Sequence, residues 1–347
     1  MKNNAKKTKK LLPLAVLLAA AALLGILLAV LTRSSTDAAD TTIPLCGFTA
    51  EEIDRLAYSG NNMDVTLLKG STGDWMLDSD PALPLDQAKV TSLVEQYAAL
   101  AALRKLEGSD LAELPEKSAA PQMTITISAG EKTLALTVDQ LNAVADVYYV
   151  YDESGAAYTV MRSDLATLSK SPRDLYKAQT LTDKTLSDVA AMQVNDLQFT
   201  QTDGSWTLTD DPDYPVSQSS IKKMASTILQ MQTAWTVTAP EADTAYGLDS
   251  PDVTAVLTFT DGTSLTVRFG NAVAAAADGS DGDSLCYLAS DAAPTVVYEV
   301  NADSKLAYAV TKESLYEETA TAETAASDPV AQYPVGGEDD YADSLPE

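Results

Sequence analysis

Gly73-Asp74-Trp75-Met76-Leu77 returns as Gly204-Ser205-Trp206-Thr207-Leu208, 131 residues further on. Asp80-Pro81-x-x-Pro84 returns as Asp211-Pro212-x-x-Pro215 at the same offset. An internal repeat of this kind fixes the architecture before any motif does, because each copy must be one folding unit. Two helical patterns follow, again 131 apart: Val90, Leu93, Val94, Tyr97 and Leu100, then Ile221, Met224, Ala225, Ile228 and Met231. Their spacing puts each set on one helix face. Asp86 and Ser217 stand where N-caps would accept free N–H groups of the first turn. Pro121 matches Pro251 at an offset of 130, and Asp174-Leu175-Tyr176 matches Ser314-Leu315-Tyr316 at 140. The growing offset places insertions in the second copy between Pro251 and Tyr298.

Each copy reads as strands, a helix, then more strands. In the first, residues 64–68 and 75–77 form a hairpin around Gly70–Gly73, and a helix spans 86–104. A meander of 123–128, 134–138, 147–151 and 158–161 follows, with turns at Gly130 and Gly155 and a short helix at 163–170. The second repeats this order with 196–201, 205–209, a helix at 217–232, then 253–260, 263–269, 285–289 and 295–300. The expected fold class is α+β: two tandem repeats, each an antiparallel sheet with one main covering helix, after a single N-terminal transmembrane helix.

That last element rests on the N-terminus. Lys2, Lys6, Lys7, Lys9 and Lys10 precede an uncharged run from Leu11 to Thr32. As a helix its 22 residues span about 33 Å, enough to cross a bilayer core. The lysines place the start of the chain in the cytoplasm and the bulk outside. The run is longer than a cleaved signal's apolar core, and Leu31-Thr32-Arg33 is a poor cleavage site. The expected organisation is a basic cytoplasmic tail (1–10), a transmembrane helix (11–32), a linker (33–49), repeat one (50–178), repeat two (179–316) and an acidic disordered tail (317–347). That tail carries nine acidic residues and no Lys or Arg.

Charge and composition narrow the function. Beyond Arg33 the chain has 17 basic and 50 acidic residues, a net of −33. Such an excess repels phosphate backbones, so no nucleic-acid partner is expected. There is no histidine, which excludes His-based triads, general bases and metal sites. Cys46 follows bulky Leu45 and lies 14 residues past the apolar run, which argues against lipidation. Cys46 and Cys286 either pair in an oxidising compartment or stay as two thiols.

Four local patterns carry some chemistry, and each has a plainer reading. Ser219-x-x-Lys222 and Ser220-x-x-Lys223 match a serine–lysine spacing, but no Lys-Thr-Gly accompanies them and they fall at a helix start. Asp278-Gly279-Ser280-Asp281-Gly282-Asp283 offers oxygen ligands for Ca²⁺, or is a solvated hairpin tip. Tyr148, Tyr149 and Tyr151 could stack on sugars or on a partner, or pack across strands. Gly247 belongs to a binding loop, or to a turn leading into the strand at Pro251. No catalytic, cofactor-binding or metal residue is assigned, and no cofactor is expected.

The segment Tyr246-Gly247-Leu248-Asp249-Ser250-Pro251, then Asp261-Gly262, then Leu265-Thr266-Val267-Arg268-Phe269-Gly270, resembles the hallmark of domain-of-unknown-function family 4340. The Gly-x-Trp-x-Leu and double-proline segments fit the same pattern, so the resemblance covers roughly 50–316 as two copies. The first copy departs from it, with Leu114-Pro115-Glu116-Lys117 where Tyr-Gly-Leu-Asp would stand. The resemblance implies a bacterial, membrane-anchored protein, in some members close to accessory components of gliding-type ABC transporters. It supplies no catalytic residue. The expected function is extracytoplasmic binding or scaffolding, not enzymatic, with the bilayer held through 11–32 and a membrane or envelope protein as partner. The alternative is an extracytoplasmic hydrolase or cation-binding protein that uses carboxylates alone.

Overall fold

A computed structural model describes residues 42–60, 63–274 and 284–317. The expected transmembrane run at 11–32, the Asp278–Asp283 loop and the acidic tail beyond Glu317 lie outside the described residues. Among the described residues no helix is long and apolar enough to cross a membrane.

The chain is mostly β. The described residues build two eight-stranded antiparallel sheets, a two-stranded pairing and few helices. The first half runs β1 (Ile43–Pro44), β2 (Arg55–Gly60), β3 (Met63–Lys69), β4 (Trp75–Leu77), α1 (Gln87–Ala98), β5 (Ala101–Ala102) and β6 (Arg104–Leu106). It continues with α2 (Ser109–Ala112), β7 (Met123–Ala129), β8 (Lys132–Asn142), β9 (Val147–Asp152), β10 (Ala157–Met161) and α3 (Arg162–Leu168). The second half runs β11 (Val189–Val194), β12 (Leu197–Thr202), β13 (Ser205–Leu208), α4 (Gln218–Leu229) and β14 (Thr233–Val237). It closes with β15 (Val253–Phe259), β16 (Ser264–Ala272), β17 (Leu285–Ser290), β18 (Val297–Asn301) and α5 (Asp303–Leu306).

The sheet orders are β4-β3-β2-β7-β8-β9-β10-β6 and β13-β12-β11-β15-β16-β17-β18-β14. They correspond strand for strand. Each sheet places its main helix over one face. Val90, Leu93, Val94 and Tyr97 of α1 join Leu56, Tyr58, Ile125 and Ile127 in the first core. Ile221, Met224, Ala225 and Ile228 of α4 join Met192, Phe199, Leu257 and Phe269 in the second. Burial of such faces supplies most of the stability, at roughly 1.5–3 kcal/mol for each large apolar side chain. Trp75 and Trp206 are both buried, 6% and 1% exposed.

The caps fall where the sequence puts them. Asp86 accepts from the N–H groups of Ala88 and Lys89, and Ser217 from that of Ser220. The helices end earlier than their apolar period suggests, at Ala98 and Leu229. Leu100 and Met231 are still buried, but from the turn after the helix. The chain then enters β5 and β6, which begin within the expected helix 86–104, or β14, which begins directly after the expected helix 217–232. Two more strands, β2 and β11, were absent from the expected order. Ile43–Pro44, expected in a linker, pairs with Ala101–Ala102, and Cys46 beyond it is buried in the first core. The expected insertion in the second half lies between β16 and β17.

Candidate functional site

One cluster of charged and aromatic side chains joins the two sheets. It starts from a row across the second sheet, on the face turned away from α4. Trp235 of β14 stands opposite Glu299 of β18, and Glu299 opposite Tyr287 of β17. Strand alternation puts all three on one face, since Tyr298 and Val300 point into the core. Arg173, from the turn after α3, reaches this row from the first half. Its guanidinium donates to both Glu299 oxygens, at 2.8 and 3.2 Å, and lies 4.7 Å from the Trp235 ring centre. Glu299 is buried, and both its oxygens are taken in a bidentate, charge-assisted pair.

The edge of β14 is held in the same way. Tyr176 packs on Trp235 with ring centres 5.3 Å apart and planes tilted by 43°, and its hydroxyl lies within 2.6 and 2.7 Å of the hydroxyls of Thr233 and Thr236. The hydroxyl of Thr238 donates to Asp80, also across the junction. Burial pushes the Tyr287 phenol above its ordinary range, and the Glu299 and Tyr246 charges add to that while Arg173 opposes it. These groups tie one sheet to the other.

The loop bearing Tyr246-Gly247-Leu248 crosses the same face. Tyr246 meets Tyr287 edge-on at 4.8 Å, and Leu248 is fully buried. The Asn271 N–H donates to the Tyr246 carbonyl at 2.8 Å. Gly247 has φ of 70°, and a Cβ there would collide with the Asn271 side chain. A Cβ at Gly270 would strike the Tyr246 carbonyl. Gly270 therefore permits one backbone to press on another and Gly247 makes room for the Asn271 amide, which favours the turn reading of Gly247. Arg268 ties the loop down through Asp243 at 2.9 Å and the Leu248 carbonyl.

The other candidates separate. Ser219 and Lys222 are exposed at the start of α4, and Ser219 shares its hydroxyl contact with the cap Ser217 at 3.0 Å. Tyr149 occupies in the first sheet the place of Tyr287 in the second: each stands opposite the middle residue of a row, Thr159 or Glu299. Tyr151 is buried with Leu106 and Ala157, and Lys117 sits over its ring at 3.9 Å. Tyr148 packs on the first core. These contacts are the cross-strand packing that the alternation predicts. Cys46 and Cys286 are both free and buried, in different cores. Among the described residues no group of three acidic or cysteine side chains is arranged to hold a metal ion. A groove of about 740 Å³ runs beside β13, lined by Trp206, Pro212, Tyr214, Pro215 and Gln218. Sequence reasoning missed the Arg173–Glu299 pair, since 126 residues separate partners that no motif links.

No curated protein and no solved structure matches the chain. A family model does match, over residues 26–205. That span holds the first sheet and the opening strands of the second, and it ends before the Tyr246–Gly270 segment that carries the resemblance in sequence. It covers just over half of the chain, and the protein belongs to the family described as Domain of unknown function (DUF4340).

Proposed function

We propose that the protein is a single-pass, membrane-anchored extracytoplasmic binding or scaffolding protein made of two tandem copies of one unit. In this reading it is an accessory component of a membrane transport complex and carries out no reaction. One observation weighs most. The buried acidic side chains among the described residues, Asp139 and Glu299, lie on different sheets, and each is already bonded. Asp139 accepts the Ser118 N–H, and Glu299 accepts Arg173. Carboxylate catalysis needs two carboxyl groups flanking one substrate bond, and these two do not stand together. The matching strand orders support the tandem reading. So does the identity of what recurs, since Trp, Pro, Leu and Tyr build turns and cores.

Purified full-length protein should turn over no cell-wall, peptide or glycan substrate. Steady turnover that an Asp or Glu substitution abolishes without unfolding the protein would overturn the proposal. The topology is tested separately: protease added to intact protoplasts should digest the 34–347 portion. Survival of that portion until lysis would reverse the orientation.

A further inference from the structure

The positions that make the junction occur a second time, and there the closing tyrosine and the edge strand are exposed, although Thr159, at the place of Glu299, is buried. In the first half the closing segment pairs with the stretch before α1. Leu85 bridges Tyr176, and the Lys177 N–H donates to the Pro84 carbonyl at 2.9 Å. In the second half Val216 bridges Tyr316, and the Glu317 N–H donates to the Pro215 carbonyl at 3.0 Å. Tyr176 and Tyr316 thus stand at one place in the two halves. Tyr176 is 5% exposed under β14, whereas Tyr316 is 54% exposed. Beside Tyr316, Asp211 stands where Asp80 does, and Glu313 where Arg173 does.

The receiving side recurs too. The edge strand β6 holds in the first sheet the position of β14 in the second. Its Arg104 and Lys105, at the places of Trp235 and Thr236, are exposed, and so is Leu103 before them. The short pairing of β1 with β5 does not close this edge, because Thr180 bridges Gln232 at the matching place beside β14. Charge is complementary. Asp213 and Glu317 line the groove with Tyr214, which meets Tyr316 edge-on, and Asp211 pairs with Lys312 beside them, while the edge presents Arg104 and Lys105. The present partners of those cations, Asp110 and Glu107, form exposed pairs that exchange at little cost.

We propose that a second copy of this chain docks its β6 edge on the Tyr316 face, repeating between molecules the junction that Tyr176 makes within one. Such a contact is head-to-tail and propagates instead of closing. It lacks the covalent tether of the internal junction, so it is the weaker of the two.

Two full-length variants test it, Leu103→Cys and Glu317→Cys, both at exposed positions and both with the native thiols buried. Mixed and treated with a short bismaleimide, they should give the mixed dimer about tenfold over either homodimer. Arg104→Glu with Lys105→Glu, added to the Leu103→Cys chain, should bring the mixed dimer down to the homodimer level. Matching denaturation curves establish that all variants are folded. Equal yields of the three dimers, no mixed dimer, or a mixed dimer indifferent to charge reversal would overturn the proposal. Absence of the mixed dimer would leave the face to residues 318–347 or to another protein.

Discussion

The side-chain amide of Gln218 holds both backbone polar groups of Trp206: its Oε1 accepts the Trp206 N–H at 2.8 Å and its Nε2 donates to the Trp206 carbonyl at 2.7 Å. Gln87 does the same to Trp75, at 2.7 and 2.9 Å. Both tryptophans lie on edge strands, β13 and β4, where these groups would otherwise face outward as a template for another strand. The first residue of each main helix thus acts as the missing neighbour of an edge strand.

Gln218→Ala removes the two bonds to Trp206, with a longer one to the Val216 carbonyl at 3.3 Å, from a half-buried site and reopens the edge. At about 0.5–1.5 kcal/mol per bond, the expected loss is roughly 1–3 kcal/mol, with increased aggregation on warming. Denaturant midpoints and light scattering check this. Gln218→Glu keeps the acceptor but faces the Trp206 carbonyl with an oxygen, so it should rescue little. Full rescue by Glu would refute the two-bond account.

Trp206 is the largest side chain in the second core and is 1% exposed. Trp206→Ala should cost about 3–5 kcal/mol and lower the melting temperature clearly. An unchanged melting temperature would mean the indole contributes contact surface and not core.

The strand meander, the caps and the paired tryptophans were legible because apolar period and turn residues agree there. The helix ends were not. Leu100 and Met231 keep the helical spacing although the chain has already turned, because they still face the same core. β11 (Val-Ala-Ala-Met-Gln-Val) and β2 (Arg-Leu-Ala-Tyr-Ser-Gly) escaped notice since alanine-rich and small residues give little strand signal. The junction was illegible for a different reason: Arg173 and Glu299 meet only because the sheets dock.

That pair yields its own prediction. Arg173→Ala leaves Glu299 buried without its partner. A fully buried pair broken this way loses about 3–5 kcal/mol, and the half-exposed Arg173 side chain reduces that, since water can reach the gap. Glu299→Gln leaves no buried charge and should cost less than Arg173→Ala. A double-mutant cycle should give a clear coupling energy between the two positions. Additive effects would show that the ion pair contributes nothing to the junction.

Stability should be flat across neutral pH and fall at both ends. Asp261 is held below its ordinary 3.8 by the Lys184 ammonium and then by Thr263. Asp188 is lowered first by the Thr185 N–H. A carboxylate whose folded value is depressed contributes stability above its unfolded value, and the contribution is lost as pH falls through the folded one. The loss therefore begins near pH 4, and it is small for these exposed groups. At the other end, burial raises Tyr58, Tyr97 and Tyr308 well above their ordinary 10, and lifts Cys46 and Cys286 above 9. The folded chain then keeps protons that the unfolded chain releases, so stability present below those ordinary values declines as pH rises past them. Between the limits nothing of this kind titrates, because the chain has no histidine. Denaturant midpoints should be constant from about pH 5 to about pH 8. A step inside that window would require an acid or thiol far from its usual range, and would identify a group that the observed burial and bonding do not account for.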